Sequence, residues 1–129
     1  MSLNAALRVS SSGLTAERFR MDVISGNIAN ANTSSINGQD PYRRRTVLLS
    51  GDENGVKVQG VVTDGSELPT KIDFNDPNHD AQGRVRVSNV QPVTEMVDML
   101  SASRAYEANV AAFNSAKEMI KDALTIGKV

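Results

Sequence analysis

The sequence has 129 residues, of which 40% are hydrophobic but only 4% aromatic, so we expect one small domain, or one domain with extensions, rather than a large core. Its 14 basic and 15 acidic residues nearly cancel, which leaves no overall field that would favour nucleic acid or an anionic membrane. The absence of cysteine excludes disulfides, thiolate catalysis and cysteine metal sites.

The first predicted element is an N-terminal helix. Its mainly apolar stripe recurs in alternating steps of four and three, the heptad pattern of a helix that packs along a partner helix. Gly13 is expected to weaken this helix locally, by up to about 1 kcal/mol relative to alanine. The positions of the stripe are Leu3, Leu7, Ser10, Leu14, Glu17, Met21, Ile24 and Ile28.

An asparagine-rich segment follows this helix. SGNIANANTSS, residues 25–35, contains Asn27, Asn30 and Asn32, and Asn37 lies just beyond it. Asparagine accepts left-handed backbone angles and bonds to nearby main chain, so the cluster predicts the end of the helix. A polar loop with no further role explains the composition equally well.

The middle of the chain changes from helical to strand periodicity. Val56 and Val58 alternate with polar residues, as do Val85 and Val87, and the run from Thr46 to Leu49 favours β-structure. The turn-rich SGDEN has the length of a hairpin link between the first two runs. These patterns predict a small β-module whose stability depends on its neighbours.

The longest predicted element is a C-terminal helix from Val93 to Ile126, about 50 Å long at 1.5 Å per residue. Pro92 fits its first turn, Thr94 or Asn89 is expected to cap it, and Gly127 to end it. A second heptad stripe runs along it. Its positions are Met96, Met99, Ser103, Tyr106, Val110, Phe113, Lys117, Ile120 and Leu124.

Two heptad stripes at opposite ends of the chain predict a mainly α fold. Because the middle must leave one helix and return to the other, we expect the helices to pair as an antiparallel coiled coil with the β-rich insertion between them. The expected neighbours are Leu7 with Ile120 or Leu124, and Ile28 with Met96 or Met99. The expected divisions are an N-terminal helix with the asparagine motif at 1–35, the β-rich module at 36–91 and the C-terminal helix at 92–129.

Candidate chemistry is sparse. His79 is the only histidine, and Asp73, Asp76 and Asp80 near it suggest a metal or acid–base site. The spacing does not match a calcium loop, no second histidine is available, and the surrounding residue types are those of turns. We therefore predict a solvated turn, with no catalytic residue, no metal site, no cofactor and no enzyme activity.

The only basic run, from Arg43 to Arg45, has two interpretations. It could contact phosphate, but no basic face or interleaved aromatic residue supports nucleic-acid binding. Charges that keep the edge of the strand at Thr46 to Leu49 soluble are the favoured interpretation.

Several segments resemble the rod and hook family of flagellar axial proteins, and the resemblance covers nearly the whole chain. They are SGNIANANTSS and PYRRR, then GVKVQGVV, NDPNHDAQGRVRVSNV and EMVDMLSASRAYEANVAAFNSAKEMIKDALTIGK. The chain departs from the family pattern at Arg84, where an aromatic residue is expected, and at Ser88, where proline is expected. The motif residues that the resemblance singles out are Asn27, Asn30, Asn32, Thr33, Ser103, Arg104 and Asn109.

The resemblance implies a structural subunit of the proximal rod of the bacterial flagellar basal body, which assembles helically into a hollow drive shaft that transmits torque. Implied partners are other rod subunits, the rod-to-ring adaptor and further copies of the chain. No run approaches the roughly 18 apolar residues of a membrane span, and the N-terminus lacks the apolar block of a secretory signal. The resemblance also implies export by the flagellar type III apparatus to a rod that spans the periplasm, which would explain the absence of such a signal. From the heptads alone, a soluble coiled-coil adaptor remains the alternative.

Two charged residues, Glu17 and Lys117, lie on the predicted stripes. The antiparallel register puts them about five residues out of step within one chain, so our hypothesis is that a neighbouring subunit or a water-filled channel satisfies each. The alternative is that both side chains lean into solvent. The predicted assembly interface comprises Leu3, Leu7, Leu14, Glu17, Met21, Ile24, Ile28, Met96, Met99, Tyr106, Val110, Phe113, Lys117, Ile120 and Leu124.

Overall fold

The computed structural model describes residues 2–128 of the chain. Two long helices flank the β-strands in sequence: α1 spans Leu3–Ala29 and α2 spans Pro92–Ile126. Both helices were expected from their heptad patterns, and both are confirmed. α2 begins at Pro92, whose ring suits the first helical position, and it stops just before Gly127.

The β-strands between the helices form two small sheets. β1 spans Arg45–Asp52 and β2 spans Gly55–Thr63, and they form one two-stranded sheet joined by a two-residue turn. β3 spans Thr70–Ile72 and pairs antiparallel with β4, Arg84–Arg86, with Lys71 opposite Val85. The predicted β-module is confirmed. β3 was not predicted because its three residues are all exposed and carry no alternation.

Side-chain hydrogen bonds end α1. The Asn30 amide nitrogen donates to the carbonyl of Gly26 at 2.8 Å, and the Thr33 hydroxyl donates to the carbonyl of Asn30 at 3.0 Å. The same two carbonyls also accept the backbone N–H groups of Asn30, at 3.2 Å, and Thr33, at 3.3 Å, so the side chains reinforce the last turn and the loop that follows it. The left-handed asparagine is Asn37, with φ of 50°, beyond the helix end.

The predicted cap of α2 is wrong. The backbone N–H of Glu95 donates to the carbonyl of Gln91, so the residue that precedes the helix is Gln91. Thr94 lies inside the first turn. Asn89 is used elsewhere, because its side-chain oxygen accepts a hydrogen bond from the backbone N–H of Arg44 at 2.7 Å.

The chain divides into two compact units, each built from parts of both helices. In the first unit the buried residues of the helices are small, among them Ala16, Ala102 and Ala116. In the second, Ile24, Leu68, Val85 and Val90 form an apolar core beside the buried polar residues Asn27, Ser35, Ser88 and Glu95. The divisions at 1–35, 36–91 and 92–129 stay a prediction. The first unit comprises Met1–Met21, Val47–Gly60 and Leu100–Val129, and the second comprises Asp22–Thr46 and Val61–Met99.

Within residues 2–128, neither α1 nor α2 combines the length and the hydropathy that a bilayer-crossing helix requires.

Candidate assembly site around Asn27 and Glu95

The side chain of Asn27, at the end of α1, is completely buried and fully hydrogen-bonded. Its amide nitrogen donates to the carbonyl of Arg45 at 2.8 Å and to Glu95 Oε2 at 3.0 Å. Its oxygen accepts from the Tyr42 hydroxyl at 2.8 Å and from the backbone N–H of Arg45 at 3.0 Å. The amide therefore uses both of its donors and both of its acceptor positions.

Glu95, the acidic residue in the first turn of α2, is also completely buried. Its second oxygen forms an ion pair with Arg44 Nε, and Arg44 Nη2 reaches Asp98 Oδ2 at 3.1 Å. The hydrogen bond to Glu95 is the main reason why the pKa of Arg44 is raised, against an opposing effect of desolvation. A buried carboxylate is tolerated only when it is paired in this way. We call Asn27, Arg44, Glu95 and Asp98 the polar cluster.

The loop after α1 is held beside the polar cluster by Tyr42. Its backbone N–H donates to the Thr33 hydroxyl at 3.0 Å, and its hydroxyl binds Asn27. The guanidinium of Arg45 lies 5.5 Å from the centre of the Tyr42 ring, a cation–π distance. The asparagine motif and the segment PYRRR thus meet in one place.

A cleft of about 540 Å³ borders the polar cluster. Arg44, Asp64, Ser66 and Asn89 line it together with residues at the start of α2. The backbone N–H of Ser66 bonds to Asp64 at 2.9 Å and is the main cause of the lowered pKa of that carboxyl. These polar groups are already hydrogen-bonded within the protein, as expected of a structural region.

The first compact unit contains a contact between the two helices at Gly13 and Asn109. A Cβ atom on Gly13 would lie only 2.7 Å from Asn109 Oδ1, so no larger residue fits without a shift. The Asn109 amide nitrogen is held by the carbonyl of Ala105 at 3.0 Å. Gly13 therefore provides space for the Asn109 side chain. The sequence predicted only that Gly13 would weaken the helix, not that it would contact Asn109.

The β1–β2 hairpin contacts α1 in the same unit. The Ser12 hydroxyl accepts a hydrogen bond from the backbone N–H of Val56 at 2.9 Å and donates to the carbonyl of Val9 at 2.7 Å. Gly55 has φ of 124°, and a Cβ there would lie 2.2 Å from Ser12 Oγ. Only glycine allows both this backbone angle and this close approach.

The residues around His79 form turns. The side chains of Asp73, Asp76 and Asp80 each accept backbone N–H groups two residues further on, at 2.8 to 3.0 Å. The ring of His79 is exposed beside Phe74, with 5.6 Å between ring centroids. Between residues 2 and 128, no three His, Asp or Glu side chains are grouped so that they could hold a metal ion.

The predicted interface residues differ in burial on the single chain. Ile24 is buried; Met96, Lys117 and Leu124 are exposed; the others are half-buried. The side chain of Glu17 is 14% exposed and has a partner in its own helix, Arg20 Nη1 at 3.4 Å. Contacts between chains are not tested by a single chain, so the interface stays a prediction. The half-buried residues are Leu3, Leu7, Leu14, Glu17, Met21, Ile28, Met99, Tyr106, Val110, Phe113 and Ile120.

The motif residues are also unequally placed. Asn27 is buried in the polar cluster, Asn30, Thr33, Ser103 and Asn109 are half-buried, and Asn32 and Arg104 are exposed. Sequence reasoning missed Glu95 and Asp98 as partners of Arg44, which it interpreted as a charge at a strand edge. The sequence signal for this pair was the acidic residue in the first turn of α2. Because 51 residues separate Glu95 from Arg44, that signal did not indicate which basic residue it would meet.

An exposed apolar stripe runs along the first two turns of α2. Val93, Met96, Val97 and Leu100 are 53 to 75% exposed, and their spacing places them on one side of the helix. Four large apolar side chains in a row on a helix surface are typical of a protein interface.

Two family models match the chain. One, described as "Flagella basal body rod protein", matches residues 7–34, and another, described as "Flagellar basal body rod FlgEFG protein C-terminal", matches residues 81–126. The matched parts contain most of α1 with the asparagine motif, and β4 with α2. Both ends of the chain therefore carry family features.

Curated relatives match along nearly the whole chain, and each is named flagellar basal-body rod protein FlgC. The protein of Bacillus subtilis (strain 168) is 43% identical over 95% of this chain and 97% of its own. That of Borreliella burgdorferi is 41% identical over 98% of both chains. That of Salmonella typhimurium (strain LT2) is 37% identical over 99% of this chain and all of its own.

Proposed function

This chain belongs to the flagellar basal-body rod proteins, and on that premise we propose that its two terminal helices are the elements that build the rod. It is a structural subunit of the basal-body rod, not an enzyme, and it assembles with other rod components. The family assignment sets aside the alternative of a soluble coiled-coil adaptor. We further assign it to the proximal part of a hollow helical shaft that transmits torque.

We propose that α1 and α2 pair as an antiparallel coiled coil. Two contacts support this direction: Gly13 with Asn109 in one unit, and Asn27 with Glu95 in the other. Asn27 comes fourteen residues after Gly13, whereas Glu95 comes fourteen residues before Asn109. From the first contact to the second, the residue number rises by two heptads along α1 and falls by two heptads along α2, as it does in an antiparallel pair of helices. In this register Leu7 lies level with Ser115 rather than with Ile120 or Leu124.

The observation that carries the assembly proposal is the exposed stripe Val93, Met96, Val97 and Leu100 on α2. The other side of this helix is buried at Glu95 and Ala102, so the stripe is free for a second contact. Helices of neighbouring rod subunits are the proposed occupants, because both family models lie over the helical ends of the chain. Burying the stripe would add hydrophobic stabilisation that one chain lacks.

We propose as partners further copies of this chain and other rod subunits, reached after export by the flagellar type III apparatus. Residues 35–80 lie outside both family models, so they are the part that can differ among rod proteins. We therefore assign them to contacts specific to one position in the rod, including the rod-to-ring adaptor. The interface residues predicted from the heptads remain part of this proposal.

A charge on the exposed stripe tests the assembly surface. In a flagellated bacterium whose own rod gene is replaced by this sequence, Val97→Glu should abolish swimming and remove the subunit from purified basal bodies. Ile72→Glu is the matched control, because it introduces the same charge at an exposed aliphatic residue of β3. Circular dichroism should show equal helix content in both variants. Normal swimming and normal incorporation of Val97→Glu would contradict the proposed surface.

A further inference from the structure

α2 has two adjacent stripes that compete for the same buried position. The heptad pattern of the sequence places Met96 and Ser103 on the inner side, whereas the structure buries the residue before each, Glu95 and Ala102. Met96 is 58% exposed, while Glu95 and Ala102 are 0% exposed. One residue corresponds to about 100° of rotation around a helix axis, so these are two distinct orientations of α2.

Hydrophobic burial alone favours the orientation that the helix does not adopt. A methionine side chain has far more apolar surface than an alanine, and a glutamate must lose its hydration when it is buried. Turning Met96 inward would therefore bury more apolar area and return Glu95 to solvent. Some other interaction holds α2 with Glu95 inward.

Asn27 and Glu95 supply that interaction. The Asn27 amide makes four hydrogen bonds, one of them to Glu95, and a rotation of α2 would leave its nitrogen with one partner fewer in a buried place. The same rotation would separate Glu95 from Arg44. Unpaired buried polar groups are unfavourable, and buried polar pairs are best known for selecting one arrangement among several.

We propose that Asn27 and Glu95 are positioning residues that set the rotation of α2 about its axis and so keep Val93, Met96 and Val97 on the outside. The use of that outer stripe by a neighbouring subunit rests on the proposed function. The rotation itself is a property of the single chain. A failure of the rotation and a failure of assembly are therefore measured separately.

The absence of cysteine permits a direct test on the purified full-length chain. The single substitutions Met96→Cys and Ala102→Cys are each labelled with a maleimide, and the two labelling rates are compared. In the otherwise unchanged protein, the cysteine at 96 should react at least about tenfold faster than the cysteine at 102. The reagent reaches the buried position 102 only when the protein opens locally. Equal rates would overturn the proposal.

The double substitution Asn27→Leu with Glu95→Ala removes the polar pair and leaves at position 95 a side chain with much less apolar surface than Met96. The ratio of the two labelling rates should fall to about one or invert, while circular dichroism shows unchanged helix content. Glu95→Ala, which favours the helix and adds no bulk, gives a second measurement should the double variant unfold. Glu95→Gln keeps one acceptor oxygen but turns the other into a donor that faces Arg44 or Asn27, so its ratio should lie between those of the parent and the double variant. An original ratio in both the double variant and Glu95→Ala would overturn the assignment.

Discussion

The Asn27 amide nitrogen lies 3.0 Å from Glu95 Oε2, across 68 residues of sequence, and both side chains are completely buried. This hydrogen bond joins the last turn of α1 to the first turn of α2. The other three hydrogen bonds of Asn27 go to Tyr42 and Arg45. One side chain therefore organises the end of a helix, the loop after it and the start of the other helix.

Asn27→Ala should destabilise the protein strongly. It removes four hydrogen bonds and leaves the Tyr42 hydroxyl and one Glu95 oxygen without this partner, which costs about 2–4 kcal/mol in the free energy of unfolding. Urea denaturation measures the loss. Asn32→Ala is the control, since Asn32 is exposed and its replacement should change stability by less than about 0.5 kcal/mol. Equal effects at the two positions would refute the role of Asn27.

Two glycines of α1 should respond oppositely to alanine. A Cβ on Gly26 would meet its nearest neighbour at 3.8 Å, so Gly26→Ala should stabilise the helix by about 0.5–1 kcal/mol. At Gly13 the Cβ would lie 2.7 Å from Asn109, so Gly13→Ala should lose that gain and destabilise the protein. Thermal unfolding should show this difference, and Asn109→Ala should restore the stability of Gly13→Ala. No restoration would mean that Asn109 is not the cause.

Gly55→Ala should detach the β1–β2 hairpin from α1. The positive φ is strained for alanine, and the new Cβ would overlap Ser12 Oγ, for a combined loss of about 2–4 kcal/mol. Hydrogen exchange of the Val56 amide, which donates to Ser12, should accelerate in this variant. Gly60→Ala serves as the control, because a Cβ there meets nothing within 4 Å. Unchanged exchange at Val56 would contradict the contact.

The pKa of Asp80 should stay low even without the side chain of Arg84. The backbone N–H of Arg84 is the main cause of the lowered pKa, and the Arg84 guanidinium contributes less. In Arg84→Ala the backbone donor remains, so an NMR titration of the Asp80 carboxyl should show a pKa only slightly higher than before. A pKa restored to its ordinary value would show that the side chain dominates.

The same lowered pKa fixes the sign of a pH effect. A carboxyl whose pKa is lower in the folded state stabilises the protein above its unfolded pKa, and this contribution disappears as the pH falls through the folded value. Asp80→Asn should therefore weaken the acid dependence of stability below about pH 4. Urea denaturation at pH 3 and at pH 6 measures the change; an identical pH dependence would contradict the inference.

Much of the fold could be predicted because the evidence for it is local. α1 and α2 follow from heptad spacing, Pro92 and Gly127 mark the bounds of α2, and the turn at SGDEN joins β1 to β2. β3 escaped prediction because three exposed residues show no periodicity. The capping of α2 was mistaken because Asn89, a good cap by residue type, is bonded to the backbone of Arg44.

The candidate site was predicted only in part. Asn27 was recognised from the asparagine motif, but its partner Glu95 was not, and Arg44 was interpreted as a strand-edge charge although it pairs with that glutamate. Residue type and spacing carry no information about which polar groups meet across 51 or 68 residues. The match to known rod proteins added the family and the location, not these contacts.

The sequence by itself determined that two long helices flank a small β-module, because helix and strand periodicity depend on neighbours a few residues apart. It also determined the family, through segments at both ends of the chain. Only the tertiary structure decided which side of α2 faces inward. An amphipathic helix with two adjacent stripes can bury either one, and the choice at Glu95 over Met96 depends on hydrogen bonds and an ion pair to residues distant in sequence.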